Sequence, residues 1–284
     1  MIQLLGYTAL MLCGLGVLSA VALYLVASKF KVYEDPRIDE VEKMLPGANC
    51  GGCGAPGCRG LADALVNEED ISSLFCPVGG NATMLSIASF LGKAADEKEP
   101  EVAVVQCNGS CKNRPKRNLF DGASSCAIVS ALYGGETDCT YGCLGKSDCV
   151  AACTFGAITM DETTELPVVD DNKCTACGAC AKVCPKNIIR LRKKGSKGRR
   201  IYIACSNRDR GGVARKACAT ACIACTNCQK VCVFEAVTIE DNLAFIDDNK
   251  CSLCRKCSVE CPTGGIVEAN FPPRKVVESV TEAI

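Results

Sequence analysis

The pattern of apolar and charged positions separates the first 30 residues from the rest of the chain. No charged residue occurs from Ile2 to Ser28, and Lys29 and Lys31 follow directly. About 20 consecutive apolar residues are enough for a helix to cross the roughly 30 Å hydrocarbon core of a bilayer. The segment therefore predicts one transmembrane helix, with residues 1–30 as the anchor. Since the basic residues follow this helix, the positive-inside bias predicts a single-pass protein of the cell (inner) membrane with the bulk of the chain on the cytoplasmic side.

A cleaved signal peptide is the alternative for the same segment. Such a peptide needs a basic stretch before the apolar run and a shorter apolar core. This chain has neither feature. Cys13 lies inside the apolar run, where we expect it to pack against a partner helix rather than to bind a metal.

Beyond residue 30 the apolar positions form short runs instead of long periodic segments. A polar linker covers 33–43, and one short helix is predicted at 61–66. The pattern predicts an α+β fold that is poor in regular structure, with units of two short hairpins and two short helices. We expect a small N-terminal domain with linkers at 31–100, two similar units at 101–195 and 196–270, and a tail at 271–284.

The composition narrows the chemistry to that of sulfur. The chain contains 26 cysteines and no histidine, and its formal net charge is zero. Without histidine it cannot form histidine-ligated haem sites, Rieske centres, Cys/His zinc fingers or a histidine acid–base catalyst. The neutral overall charge creates no field that would attract nucleic acid, and we expect no nucleic-acid partner.

The first predicted metal site consists of Cys50, Cys53, Cys58 and Cys76. The glycines between the first three cysteines let the backbone wrap closely around a bulky cofactor and direct its amides towards sulfur. We interpret the group as the ligands of a [4Fe-4S] cluster. A zinc site with four thiolates is the alternative, but such sites usually consist of two separated C-x2-C pairs.

Three later segments share the cysteine spacing of bacterial ferredoxins, C-x2-C-x2-C-x3-C, and two of them end in the usual proline. In ferredoxins the first three cysteines of a run bind one [4Fe-4S] cluster, and the fourth reaches across to a second cluster. The run without the proline has Val233 at that position. The runs are Cys174, Cys177, Cys180 and Cys184, then Cys222, Cys225, Cys228 and Cys232, and finally Cys251, Cys254, Cys257 and Cys261.

The crossover rule assigns two clusters to the last two runs, which form one module of eight cysteines. One cluster is expected to take Cys222, Cys225, Cys228 and Cys261. The other is expected to take Cys251, Cys254, Cys257 and Cys232.

The module is duplicated within the chain. A shift of 79 residues places Cys126 on Cys205, and further cysteines coincide. In the first copy Lys146 stands at the position of Cys225, and we expect Cys139 to replace that ligand. Thr154, like Val233, stands where ferredoxins usually have proline. The expected clusters of the first copy are Cys139, Cys143, Cys149 and Cys184, and Cys174, Cys177, Cys180 and Cys153.

Five cysteines remain after these clusters and Cys13 are set aside: Cys107, Cys111, Cys126, Cys205 and Cys218. The first three could hold a further cluster if Cys205, Cys218 or a reassigned Cys139 supplies the fourth thiolate. The alternative is that the five are buried thiols without a metal. The sequence therefore predicts five or six [4Fe-4S] clusters.

The cassette that begins at Cys50, placed just after an apolar N-terminal helix, resembles the N-terminal iron-sulfur domain of the B subunit of Rnf complexes over residues 1–80. From residue 100 to residue 265 the cysteine runs resemble the polyferredoxin region of the longer, anaerobe-type B subunits. The resemblance implies an electron-carrying subunit of an ion-transporting ferredoxin:NAD+ oxidoreductase, which accepts electrons from reduced ferredoxin. It also implies membrane and flavin-bearing partner subunits that reduce NAD+ while Na+ or H+ is moved.

The predicted clusters would carry electrons without transforming a metabolite. A [4Fe-4S] cluster with four thiolate ligands has no open coordination position. The sequence shows no P-loop and no G-x-G-x-x-G after a strand, so NAD+ reduction is expected in another subunit. The alternatives are a polyferredoxin of another membrane oxidoreductase or hydrogenase, and a zinc-stabilised scaffold.

A basic run between the two units is predicted to be an exposed hairpin or loop. It is either a solvated turn or a surface that attracts a small acidic ferredoxin. Its members are Arg190, Arg192, Lys193, Lys194, Lys197, Arg199 and Arg200.

Overall fold

The computed structural model describes residues 2–29 and 34–274. Lys31, the first residue of the predicted linker and 275–284 of the predicted tail lie outside the described residues. Helix α1, Ile2–Lys29, confirms that the apolar segment is helical, and large apolar side chains such as Leu15 and Leu18 are exposed on it. Among the helices within the two described ranges, none combines the length and the apolar character needed to cross a membrane.

The N-terminal domain is built from three helices, α2 (Pro36–Met44), α3 (Cys58–Asn67) and α4 (Gly80–Leu91). Asp35 caps α2, because its carboxylate accepts a hydrogen bond from the backbone N–H of Arg37 at 2.9 Å. Leu61 and Leu65 of α3 are fully buried in the core between the helices. Helix α3 confirms the short helix predicted at 61–66 and extends it at both ends.

Four two-stranded antiparallel sheets organise the two cysteine-rich units. In each unit the first strand pairs with the last strand, and the two middle strands pair with each other, so the ends of each unit are held together. The first unit contains β1 (Glu101–Val105), β2 (Ile158–Met160), β3 (Pro167–Val169) and β4 (Ile189–Lys193). The second contains β5 (Arg200–Ile203), β6 (Val237–Glu240), β7 (Leu243–Ile246) and β8 (Ile266–Ala269).

Short helices connect these strands and confirm the predicted α+β class. In the first unit they are α5 (Cys126–Leu132), α6 (Asp148–Ala151) and α7 (Ala179–Val183). In the second unit they are α8 (Gly211–Ala217), α9 (Asn227–Lys230) and α10 (Lys256–Val259). Four of the helices each carry one buried cysteine that packs with the aliphatic core: Cys149, Cys180, Cys228 and Cys257.

The basic run between the units is only in part the exposed hairpin or loop that the sequence predicts. Arg192 in β4 forms an ion pair with Asp248 of the second unit. Arg200 in β5 binds both carboxylate oxygens of Asp171 in the first unit, at 2.6 and 2.7 Å. Both arginines are buried, and a 3-10 turn at Ser196–Gly198 separates strands that belong to different sheets. The prediction is wrong for Arg192 and Arg200, because their charges form ion pairs between the units, whereas Arg190 and Lys197 are exposed.

Candidate metal centres

A cavity in the N-terminal domain is lined by Cys50, Cys53, Cys58 and Cys76. Asn49 shapes its loop, because the side-chain oxygen accepts a hydrogen bond from the backbone N–H of Cys58 at 2.8 Å. A Cβ atom on Gly57, which has a φ of 126°, would lie 2.9 Å from that oxygen, so the loop requires glycine there. The backbone N–H of Gly79 donates to Sγ of Cys76 at 3.3 Å. The fold thus brings together the four cysteines that the sequence groups.

A cavity in the second unit is lined by Cys222, Cys225, Cys228 and Cys261, which is the group expected from the crossover rule. Ile203, Ile239 and Ala244 complete its apolar wall. Its empty volume, including the part open to solvent, is about 370 Å³. The cavity of the first unit and that of the N-terminal domain have about 330 and 290 Å³. Each of the three cavities is lined by four cysteines, which fits one type of cofactor in all three.

The cavity of the first unit contains Cys126 where Cys139 was expected; its cysteines are Cys126, Cys143, Cys149 and Cys184. Lys146, at the position of the absent cysteine, binds the buried carboxylate of Glu136 at 2.9 Å. Cys126 is the first residue of α5, and the start of this helix is held by the carboxylate of Asp148, which accepts a hydrogen bond from the backbone N–H of Ala127. Cys126, and not the expected Cys139, is therefore the fourth cysteine at this cavity, because the start of α5 lies against it.

Two more groups of cysteines surround the buried thiols of α7 and α10. Cys180 has as neighbours Cys174, Cys177 and Cys153 and, from the adjacent cavity, Cys149. Cys257 has as neighbours Cys251, Cys254 and Cys232 and, from the adjacent cavity, Cys228. Burial, and then the neighbouring thiolates, raise the pKa of both buried thiols to about 12. The first three neighbours in each group are those expected from the sequence.

The chemistry of these groups fits a bound cationic cofactor. A thiol with a pKa of about 12 is protonated at neutral pH, whereas a cysteine that binds a metal is a thiolate. Several thiolates in an apolar cavity repel one another unless positive charge lies between them. Across 2–29 and 34–274, no group of three or more histidine, cysteine, aspartate or glutamate side chains is arranged to hold a metal ion.

The cysteine loops of the two units share one backbone conformation. In each loop the residues that precede and follow the position of the second cysteine have positive φ, from 52° to 76°. These pairs are Gly145 and Ser147, Ala176 and Gly178, Ala224 and Thr226, and Leu253 and Arg255. The left-handed conformation costs about 1–2 kcal/mol for a residue other than glycine, and such strain is typical of ligand-binding sites. The loop of Lys146 keeps this conformation although its cysteine is absent.

The turn after the fourth cysteine of each run forms with or without proline. The third residue after that cysteine has a φ between 50° and 64° in all four turns: Gly156, Asn187, Glu235 and Gly264. The backbone N–H of Gly156 donates to the carbonyl of Cys153 at 3.2 Å, and the other three turns have the same bond. Thr154 and Val233 therefore occupy turns of the same form as the proline-containing ones.

The remaining cysteines lie at the junction of the two units or on the surface. Cys111 is exposed, and its thiol donates to the carbonyl of Thr163 at 3.2 Å. The expected group of Cys107, Cys111 and Cys126 is not brought together, because Cys126 lies in the cavity of the first unit. The segments at the junction of the two units carry Cys107, Cys139, Cys205 and Cys218.

Two family models match parts of the chain that carry these sites. Residues 45–78 match the family described as "Putative Fe-S cluster". Residues 138–188 match the 4Fe-4S dicluster domain. The chain thus contains an iron-sulfur domain followed by a dicluster domain of the ferredoxin kind.

Three relatives are similar over most of the chain. The B subunit of the Na(+)-translocating ferredoxin:NAD(+) oxidoreductase complex of Acetobacterium woodii is 42% identical over 87% of this chain and 73% of its own length. The B subunit of the ion-translocating oxidoreductase complex of Methanosarcina acetivorans is 37% identical over 90% of this chain and 95% of its own. The B subunit of the proton-translocating ferredoxin:NAD(+) oxidoreductase complex of Clostridium ljungdahlii is 38% identical over 89% and 88%.

Proposed function

The chain belongs to the B-subunit family of the Rnf complexes, the ion-translocating ferredoxin:NAD+ oxidoreductases, and we propose from this premise how its residues serve electron transfer. It is an electron-transfer iron-sulfur subunit of such a Na+- or H+-translocating complex and acts with the other Rnf subunits. In our proposal it accepts electrons from reduced ferredoxin and passes them towards the flavin-bearing subunits that reduce NAD+.

The observation that carries the proposal is the repetition of the four-cysteine cavity in all three parts of the chain. Together with the groups around Cys180 and Cys257, these cavities support five [4Fe-4S] sites. A bound [4Fe-4S] cluster supplies reversible one-electron transfer. The proposed ligands are Cys50, Cys53, Cys58 and Cys76; Cys126, Cys143, Cys149 and Cys184; Cys153, Cys174, Cys177 and Cys180; Cys222, Cys225, Cys228 and Cys261; and Cys232, Cys251, Cys254 and Cys257.

The chain's own backbone tunes these sites through hydrogen bonds to sulfur. The N–H of Ala157 donates to Sγ of Cys153 at 3.3 Å, and the N–H of Ala103 donates to Sγ of Cys174 at 3.5 Å. Such bonds stabilise negative charge on the sulfur and influence the reduction potential. Four thiolates at each site leave no position for a substrate, which supports a role in electron transfer alone.

Contacts between neighbouring groups support a series of sites through the molecule. A Cβ atom on Gly52, in the N-terminal loop, would lie 2.6 Å from the carbonyl oxygen of Cys177, so the two loops touch through their backbones. Lys182 strengthens the contact, since its ammonium donates to the carbonyl of Gly51 at 3.0 Å. Within each unit the two groups are adjacent, as the neighbours of Cys180 and Cys257 show.

The far end of this series is the proposed entry for electrons from ferredoxin. Cys254 is the exposed cysteine among the proposed ligands, and the exposed Lys250 and Lys256 flank its loop. Positive charge there would steer a small acidic ferredoxin towards the site. This surface replaces the basic run between the units, whose Arg192 and Arg200 are buried.

Charge reversal at Lys250 and Lys256 tests this entry surface. We expect the double change Lys250→Glu with Lys256→Glu to lower the second-order rate constant for oxidation of reduced ferredoxin by about tenfold at low salt, and less at high salt. Lys112→Glu with Lys216→Glu changes the net charge equally at exposed positions elsewhere and is the control. Equal rates for the two double variants at low salt would contradict the assignment.

We propose that α1 anchors the chain in the membrane, with the cysteine-rich domains on the cytoplasmic side. The support comes from the sequence, which has no charged residue between Ile2 and Ser28 and has lysines after it. Deletion of 2–29 should move the chain from the carbonate-washed membrane fraction to the supernatant while its iron content is retained. A full-length chain that is fully extracted by carbonate would contradict the anchor.

Metal analysis of anaerobically purified protein tests the electron-transfer proposal as a whole. We expect at least about 20 irons per chain with equal acid-labile sulfide, and EPR signals of interacting [4Fe-4S] centres after reduction. Abundant zinc with little sulfide would support a zinc-stabilised scaffold instead. Co-purification of the flavin-bearing subunits distinguishes an Rnf subunit from a polyferredoxin of another membrane oxidoreductase.

A further inference from the structure

The two units meet at a junction where equivalent backbone segments cross. Strand β1 ends at Val105 and β5 ends at Ile203, and a cysteine follows two residues after each end, Cys107 and Cys205. The segments bind each other on both sides. The backbone N–H of Asn108 donates to the carbonyl of Ala204 at 2.9 Å, and the hydroxyl of Ser206 donates to the carbonyl of Gln106 at 3.0 Å. The fold therefore places one cysteine of each unit beside this crossing.

Asn207 joins two of the junction cysteines. Its side-chain amide donates to Sγ of Cys139 at 3.5 Å, and its backbone N–H donates to Sγ of Cys205 at 3.4 Å. Asn207 is 1% exposed, and both cysteines are buried. Buried N–H groups that point at sulfur are typical of the environment of iron-sulfur clusters.

The fourth thiol, Cys218, reaches the junction from the end of α8. A Cβ atom on Gly109, two residues after Cys107, would lie 3.3 Å from Sγ of Cys218, so the loop approaches the sulfur closely. The hydroxyl of Thr220 lies 3.4 Å from the same sulfur and donates to the carbonyl of Asn108 at 3.0 Å. The segments that carry Cys107 and Cys218 are thus bound together.

A buried positive charge lies beside these thiols. Arg114 is 8% exposed, and its guanidinium donates to the carbonyls of Gly109 and Cys143 and to the hydroxyl of Thr137. Among the residues that the structure describes, no carboxylate forms an ion pair with Arg114. A buried charge without a counter-charge is costly. A Cβ atom on Gly109 would lie 3.1 Å from Nε of Arg114 and 3.3 Å from Sγ of Cys218, so the guanidinium lies close to that sulfur.

We propose that Cys107, Cys139, Cys205 and Cys218 hold a sixth [4Fe-4S] cluster, shared between the two units. This inference rests on the proposed electron-transfer function and adds a site to it. Each unit supplies two ligands, and the net negative charge of an iron-sulfur cluster with four thiolates is the counter-charge for Arg114.

The position of the site explains how the two units are connected for electron transfer. The backbone N–H of Cys143, a ligand of the first-unit cavity, donates to Sγ of Cys107 at 3.5 Å. In the second unit the backbone of Cys222 lies near Cys205 and acts to lower the pKa of its thiol, against the larger effect of burial. The sixth site therefore lies between two cavities, the one that contains Cys143 in the first unit and the one that contains Cys222 in the second. It also leaves Cys111, which is exposed, as the one cysteine outside α1 that is not assigned to a cluster.

Iron counting on matched variants of the full chain tests the sixth site. Wild-type protein, purified without oxygen, should contain about 24 irons and 24 sulfides per chain, and Cys218→Ala should lose about four of each. Cys111→Ala is the control and should keep the wild-type content. EPR spin quantification after reduction should report one cluster fewer in Cys218→Ala only.

Asn207→Leu gives a second test that retains every cysteine. It removes the hydrogen bond from the side-chain amide to Sγ of Cys139. We expect a redox titration to show a changed reduction potential for one cluster, with an iron content near that of wild type. A wild-type content of about 20 irons, unchanged by Cys218→Ala, would overturn the sixth site while leaving the five-site proposal intact. Zinc in place of iron and sulfide would overturn both.

Discussion

Replacing Arg192 by methionine should weaken the contact between the two cysteine-rich units and lower the free energy of unfolding. Arg192 lies in β4 of the first unit, and its guanidinium donates to the carbonyl of Ile246 in the second unit at 2.6 Å. It also pairs with Asp248 and lies 5.2 Å from the centre of the ring of Phe245. Methionine fills a similar volume but removes the charge and every hydrogen bond. The variant leaves Asp248 largely buried without its partner.

The expected loss of stability is large for a single side chain. Removal of one partner from a buried ion pair costs roughly 3–5 kcal/mol. The side chain of Asp248 is 21% exposed and keeps a hydrogen bond from the backbone N–H of Lys193 at 3.3 Å. We therefore expect about 3 kcal/mol. Burial already raises the pKa of Asp248 against the effect of Arg192. Without Arg192 this pKa should rise further, so the loss should shrink as the pH falls and Asp248 becomes neutral.

Guanidinium unfolding under anaerobic conditions measures this effect, followed by far-UV circular dichroism and by cluster absorbance. Arg190→Met is the matched control, because Arg190 lies in the same strand and is exposed, and it should change stability by about 0.5 kcal/mol or less. Adding Asp248→Leu to Arg192→Met should recover much of the loss, since no unpaired charge then remains. Equal midpoints for Arg192→Met and Arg190→Met, or a loss that does not depend on pH, would contradict a stabilising ion pair between Arg192 and Asp248.

Three further predictions follow from the ion pairs and the metal sites. Burial acts to raise the pKa of Asp171, but hydrogen bonds led by Arg200 hold it below the usual value. The ionised carboxylate therefore stabilises the folded protein above the unfolded-state pKa, and this stabilisation is lost as the pH falls through the folded-state pKa. In a pH series of unfolding midpoints, Asp171→Asn should lack this acid-dependent loss of stability. Glu136→Gln leaves the partly buried Lys146 without its carboxylate and should lower the free energy of unfolding by about 1–3 kcal/mol. Asp138→Asn, at an exposed ion pair, should lower it by less than about 1 kcal/mol. Equal thermal midpoints for the two variants would contradict this prediction. Removal of iron by a chelator under reducing conditions should abolish most of the regular secondary structure of the two units, because metal binding supplies much of the folding energy of small metal-binding domains, and an unchanged circular dichroism spectrum would be inconsistent with that role.

The chemistry of the sites and most of the grouping of the cysteines could be predicted from the sequence alone. In ferredoxins the spacing C-x2-C-x2-C-x3-C places three ligands on one loop and the fourth at a neighbouring site. The structure places Cys222, Cys225, Cys228 and Cys261 around one cavity, as that spacing predicts. The absence of histidine likewise limited the ligands to thiolates.

The ligands that come from distant segments could not be predicted from the sequence, because they depend on how the chain folds. Cys126 takes the position expected for Cys139 because α5 folds over the cavity, and no local spacing encodes that return. The junction group likewise depends on the crossing of the segments after β1 and β5, which lie in different sheets. The same holds for Arg192 and Arg200, whose charges the sequence predicts to be exposed but which are buried against carboxylates of the opposite unit. Local spacing sets contacts within a loop, whereas contacts between units depend on how the completed units pack.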